Sequence, residues 1–160
     1  MVYSISNEKW GDNIMVNYEK QYSVSSINTG GRKGKSYLED GSFAVNISPP
    51  GSKHEGANPE ELFALGYSAC FHGALDAVKA RRRIRNKSLV RLTVNYLHNP
   101  KNHLDIKLQV EIELAMENLA DKEIKELADR ANEICPYSRA IQNGHIDVTT
   151  KIVPYIEETM

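Results

Sequence analysis

The sequence carries almost no excess charge: 20 lysines and arginines stand against 21 aspartates and glutamates, a formal net charge of −1 at pH 7. That balance gives no bulk attraction toward nucleic acid or an anionic membrane, and neither is expected as a partner. No apolar run reaches the roughly 18 residues that cross a bilayer. The N-terminus, Met1-Val2-Tyr3-Ser4-Ile5-Ser6-Asn7-Glu8, lacks the basic region and apolar core of a secretory signal, so a cytoplasmic protein is expected. Internal repeats and low-complexity linkers are also missing, which favours a single domain over residues 1–160, alone or as one subunit of a tight oligomer. Cysteine is scarce, with two in the chain. A structural disulfide is unusual in the cytosol, where a cysteine pair is more often catalytic or metal-binding.

One motif is excluded by a missing glycine. Gly34-Lys35-Ser36 ends like a phosphate-binding loop, but the first glycine of that motif would fall at Thr29. The following Tyr37-Leu38-Glu39-Asp40-Gly41 reads as a hairpin, whereas the motif must open a helix.

What is present centres on Asn58 to Leu75. Asn58 suits an N-cap, Pro59 the first helical position, and Glu60 and Glu61 the positive end of the helix dipole. From Leu62 to Leu75 the only strongly polar groups are Ser68 and His72, so the helix is apolar nearly all round and should be buried. Gly66, Ala69 and Gly73 would let another backbone come close. Cys70 lies in the middle. The basic end, Lys79 to Arg83, complements the C-terminal dipole without needing a ligand.

Around this helix the pattern is mostly period two. Val16 to Ile27 reads as a strand, with Val16, Tyr18, Tyr22 and Val24 on one face. Lys35–Leu38 and Phe43–Ile47 flank Asp40-Gly41 as a hairpin. Val90, Leu92, Val94 and Tyr96 alternate with polar residues, as do Leu104 to Leu114, and Asn99-Pro100-Lys101-Asn102 joins them. Each strand should bury one face. Asp121 is read as the cap of a helix with the stripe Ile124, Leu127, Ala128, Ala131 and Ile134, which meets Cys135-Pro136-Tyr137-Ser138. Asp147 to Val153 supplies a last strand. The class is α+β, with antiparallel sheets around a central buried helix that wants more cover than one small sheet gives.

Four uses of the cysteines compete: plain buried packing, a zinc site, a structural disulfide, and a redox pair. No nearby Cys or His pair supplies zinc-like spacing, so no metal is expected. A redox pair would need a thiolate, a cation to offset its burial, a carboxylate to hold that cation, and a second thiol.

Asn58-Pro59-Glu60-Glu61-Leu62-Phe63-Ala64, Gly66-Tyr67-Ser68-Ala69-Cys70-Phe71 and Cys135-Pro136-Tyr137-Ser138, with the cysteines 65 positions apart, resemble the OsmC/Ohr family. Gly30-Gly31-Arg32-Lys33-Gly34 and Gly66-Tyr67 resemble its organic hydroperoxide resistance (Ohr) branch more than its osmotically induced OsmC branch. The likeness runs from about Ser25 to Pro154 and leaves residues 1–11 as an N-terminal extension, read as an added edge strand. The run after Ser138 and the tract Arg81–Arg85 depart from the family pattern.

The resemblance implies an intertwined homodimer and a cofactor-independent peroxidase for organic hydroperoxides. By motif match, Cys70 is the attacking thiol, Cys135 the resolving thiol, Arg32 the activating cation and Glu60 its holder. Phe63, Tyr67, Phe71 and Tyr137 would line an apolar approach for the peroxide. Dihydrolipoamide or a lipoylated protein would re-reduce the disulfide. The competing expectations are an OsmC-branch peroxidase of broader peroxide use and a non-catalytic dimer that binds an apolar ligand.

Overall fold

The computed structural model describes residues 2–5, 18–143 and 148–151. Within them, three antiparallel sheets and three α-helices form a mixed α/β fold. Strands β2 (Ser26–Thr29), β3 (Lys35–Leu38) and β4 (Ala44–Asn46) make one sheet, with Ile27 opposite Tyr37 and Ser36 opposite Val45. Of the strand expected from residue 16, only Ser26 onward pairs. Tyr18, Tyr22 and Val24 are exposed instead, since among the described residues no element covers their alternating face, and Val16 lies outside the described residues.

Helix α1 (Pro59–Arg81) begins with a full capping box. Asn58 Oδ1 accepts from the Glu61 amide at 2.8 Å, and Glu61 Oε2 accepts from the Asn58 amide at 2.8 Å. Glu61 thus satisfies an orphan donor as well as the dipole. At the other end Arg83 is left-handed (φ 58°), its amide donates to the Ala80 carbonyl at 3.1 Å, and the Ile84 amide donates to the Lys79 carbonyl at 2.9 Å. This is a Schellman stop with arginine where glycine is usual.

Tyr67, Phe71, Ala74, Leu75 and Val78 form the buried face of α1. They pack on β5 (Ser88–Asn99) and β6 (Asn102–Met116), a hairpin pairing Val90 with Leu114 and Leu92 with Ile112. Only part of this hairpin lies under the helix. Val90, Leu92, Val110, Ile112 and Leu114 join the core, whereas Leu104, Ile106 and Leu108 are exposed, so the expected one-face burial fails toward the hairpin tip.

Helix α2 (Asp121–Ile134) adds Leu127 and Ala131, both fully buried. Asp121 is its first helical residue rather than its cap; Ala120 holds the cap position without a side-chain bond. Pro136 disfavours helical geometry at Cys135, which is extended, and opens α3 (Pro136–Asn143). Strand β1 (Val2–Ile5) pairs with β7 (Val148–Lys151), Val2 opposite Lys151, so the strand expected near the N-terminus is present at residues 2–5. Asp147, Ile152 and Val153 of the expected last strand lie outside the described residues.

The described residues do not cover the central helix all round. Leu65 is 66% exposed, Ala69 and Gly73 are exposed beside it, and a Cβ at Gly73 would meet nothing within 4 Å. At Gly66 the neighbour is the Tyr137 side chain, its hydroxyl 3.5 Å and its ring 3.6 Å from where a Cβ would sit, rather than a second backbone.

Candidate active site

Of the expected site residues, four meet as two pairs of side chains. The first hangs from the turn between β2 and β3. Gly30 and Gly31 have φ of 79° and 60°, and a Cβ on Gly34 would lie 1.6 Å from the Thr29 carbonyl oxygen, so the turn can close only with glycine. Asn28 ties it together, accepting from the Gly31 amide at 3.0 Å and donating to Ser36 Oγ at 2.9 Å. The tightened turn presents Arg32 to the first turn of α1. There Arg32 Nη2 donates to Glu60 Oε2 at 2.6 Å and to Oε1 at 2.8 Å.

Glu60 is largely buried, its side chain 16% exposed, and Arg32 is about half exposed. The arginine hydrogen bond is the main reason that the Glu60 carboxyl is held below its ordinary range, and the same bond raises Arg32. The guanidinium also sits over the Tyr96 ring, 5.7 Å from its centroid, a cation–π arrangement. Arg32, Glu60, Tyr96, Pro50, Ala64 and Val94 are among the residues around a cavity of about 480 Å³.

The second pair is sulfur. Cys70, midway along α1, is partly buried; Cys135, between α2 and α3, is completely buried. Their Sγ atoms are 3.6 Å apart and both are free thiols. A disulfide at about 2.05 Å needs an approach of about 1.5 Å more. Burial pushes the Cys70 thiol up; the adjacent Cys135 thiol adds to this, and the Tyr137 backbone amide opposes it.

A buried polar chain fixes the segment after Cys135. Ser138 Oγ donates to Asn132 Oδ1 at 3.0 Å, which leaves the Tyr67 hydroxyl to donate to Ser138 Oγ at 2.9 Å. Tyr67 and Ser138 are buried, and desolvation raises the Tyr67 phenol. Phe63, Tyr67 and Tyr137 form a ring cluster, with centroids 5.7 Å apart for Phe63–Tyr67 and Tyr67–Tyr137, and 6.5 Å for the stacked Phe63–Tyr137 pair.

Of the four residues expected to line an apolar approach, Tyr137 is exposed and Phe63 partly so. Tyr67 and Phe71, at 2% and 1% exposure, belong to the core of this chain. His72 faces away from the thiols, its Nε2 2.9 Å from Ser88 Oγ. Sequence reasoning missed Tyr96, Ser138 and Asn132. The alternation of β5 places Tyr96 on the same face as Val94, and Ser138 closes the Cys-Pro-Tyr-Ser run; nothing local marks Asn132.

The pairs are not brought together within one chain. Glu60 lies ten residues before Cys70 on the same helix, roughly 15 Å along its axis. Neither cysteine lines the cavity at Arg32.

The family model described as OsmC-like protein matches residues 51–151, a stretch running from just before α1 to the end of β7. The chain belongs to the OsmC-like protein family. It is similar to an organic hydroperoxide resistance protein-like protein of Staphylococcus aureus, 35% identical over 136 residues covering 82% of this chain and 96% of the relative. A second relative, organic hydroperoxide resistance protein-like 2 of Staphylococcus epidermidis, is 34% identical over 132 residues, 79% of this chain and 92% of that one. Among solved structures, the organic hydroperoxide resistance protein OhrB of Bacillus subtilis superposes with a TM-score of 0.70 at 31% identity, covering 76% of this chain and 92% of OhrB. The OsmC-like fold is therefore present over most of the chain.

Proposed function

We propose that this OsmC-like protein has a peroxide-resistance role and acts as a thiol peroxidase that reduces organic hydroperoxides to alcohols. The observation that carries the reading is the pair of free thiols, 65 residues apart in sequence with sulfurs 3.6 Å apart, on the scaffold of a family whose similar members are named for organic hydroperoxide resistance.

In the proposed cycle the Cys70 thiolate attacks the distal oxygen of ROOH. The O–O bond breaks, the alkoxide leaves as ROH after taking a proton, and Cys70 becomes a sulfenic acid. Cys135 then attacks the Cys70 sulfur; an S–S bond forms and the sulfenic oxygen departs as water. A dithiol, such as dihydrolipoamide or a lipoylated protein, returns both cysteines to thiols by exchange. Every step runs on sulfur and oxygen, without a cofactor.

The thiolate needs a cation, since burial in the chain alone disfavours it. Arg32 fits by charge and donor geometry but is held at the far end of α1. A homodimer resolves this: Arg32 and Glu60 of one copy serve Cys70 of the other. The uncovered faces support it, with Leu65, Ala69 and Gly73 on α1 and Leu104, Ile106 and Leu108 on β6 open to a second copy. Phe63 and Tyr137 supply the apolar wall toward the substrate, while Tyr67 and Phe71 back it from the core.

The test is the product of one equivalent of cumene hydroperoxide, read by mass spectrometry. The expected result is loss of two hydrogens and a peptide linked through Cys70 and Cys135. In Cys135→Ser, one equivalent should instead add one oxygen to Cys70, and a second equivalent should carry it on to sulfinic acid, because nothing traps the sulfenic acid. Oxidation at Cys135 in a Cys70→Ser protein would reverse the roles, and unreacted thiols throughout would leave the apolar-ligand-binding dimer as the better reading.

A further inference from the structure

The basic end of α1 has no part in the chemistry proposed for the thiols. Cations there complement the helix dipole, which ordinarily accounts for them. The backbone removes much of that need. The Val78, Lys79 and Ala80 carbonyls already accept from the amides of Arg82, Arg83 and Ile84 in the Schellman stop. The stop itself would be better served by glycine, because a left-handed φ of 58° strains a side-chain-bearing residue. Yet Arg83 is there, and its side chain needs another explanation.

Arg83 lines a cavity of about 480 Å³ with Asp76, Lys79, Ala80, Ile84 and Arg85. Three cations and one carboxylate face this space. Asp76 is engaged by Lys79, Nζ to Oδ1 at 3.2 Å. The Lys79 side chain is nine-tenths buried, and its ammonium also donates to Ser88 Oγ at 2.9 Å. An ammonium has three donors, so one is left. Neighbouring cations have partners elsewhere: Arg82 pairs with Glu126 and Lys87 with Glu117. Arg83 and Arg85 have no ion pair within 4 Å among the described residues. The lining is therefore net positive, has a buried floor in Lys79, and includes two arginines, a residue type whose planar fork suits recognition of oxyanions.

We infer that this cavity is a binding site for a small phosphate-bearing anion, held by Arg83 and Arg85 with Lys79 beneath. It is separate from the thiol site: Lys79 lies nine residues beyond Cys70, which is half a turn round the helix. The inference therefore stands whether or not the chain is a peroxidase.

Two variants separate a ligand role from a structural one. Arg83→Gly removes a guanidinium while easing the left-handed stop, so the protein should melt higher in chloride, by about 2 °C, yet bind phosphate about tenfold more weakly or worse. Arg85→Gln should weaken phosphate binding with little change in melting. The probe is inorganic phosphate, titrated calorimetrically against chloride at matched ionic strength. Saturable heat in the wild type that both variants diminish supports the site. Phosphate behaving like chloride, or binding Arg83→Gly as tightly as wild type, overturns it.

Discussion

At the scale of residues, the proposed chemistry depends on where Arg32 spends its charge. In one chain it is bound to Glu60 by both carboxylate oxygens and braced by the Tyr96 ring. Glu60 has a folded pKa below its unfolded value. The stability from this pair is therefore fully present above the ordinary glutamate value of about 4.3, and is lost as pH falls through the lowered folded value. The melting difference between wild type and Glu60→Gln should stay constant from neutral pH down to that range and then shrink. A difference that instead widens in acid would contradict the assignment. Arg32→Ala should raise the Cys70 pKa, moving the midpoint of its iodoacetamide alkylation to higher pH. An unmoved midpoint would remove the arginine from thiol activation. Arg32→Lys should not restore it, because lysine lacks the planar fork.

At the scale of elements, Cys135, the proposed resolving thiol, is positioned by a proline and a buried hydrogen-bond chain. Pro136 ends α2 at Cys135 and starts α3, while Tyr67, Ser138 and Asn132 tie α1, α3 and α2 together. Ser138→Ala would leave the Tyr67 hydroxyl and the Asn132 carbonyl oxygen without this partner. It should cost about 1–3 kcal/mol of stability, read from denaturant unfolding. It should also slow disulfide formation more than the first oxidation of Cys70, because only the second step needs α3 in place. Equal slowing of both would mean that the chain of bonds serves stability alone.

The elements also mark how much could be read in advance. The capped central helix, the Asp40-Gly41 hairpin, the two long alternating strands and the Cys-Pro break were all legible because each rests on local chemistry: a cap, a turn, a period, a ring that excludes helix. The strand expected from Val16 is shorter than its alternation suggests, since alternation at Tyr18, Tyr22 and Val24 says that a face is apolar, not that a described element covers it. Leu104, Ile106 and Leu108 carry the same lesson. The Arg32–Glu60 pair and the thiol pair follow from the family resemblance, while their separation along α1 follows from a helix rise alone. Tyr96 and Asn132 act through tertiary contacts that no local pattern announces.

At the scale of the whole molecule, the account requires two copies. An apolar helix with one face open, a hairpin half uncovered and a cation held at the end of α1 away from Cys70 would have a common remedy in the proposed homodimer. Mixing tests this directly. Arg32→Ala and Cys70→Ser should each be inactive alone. After unfolding and refolding together they should regain part of the peroxidase activity, since a mixed dimer contains one site with both residues. No recovery, with mixed dimers demonstrated by mass, would place Arg32 and Cys70 in the same chain's site.

The most direct test of the central claim is consumption of cumene hydroperoxide and of hydrogen peroxide side by side, with dihydrolipoamide as reductant and Cys70→Ser as the control. The account predicts turnover with clear preference for the organic peroxide in the wild type, and none in Cys70→Ser. Full peroxide consumption by Cys70→Ser would contradict it.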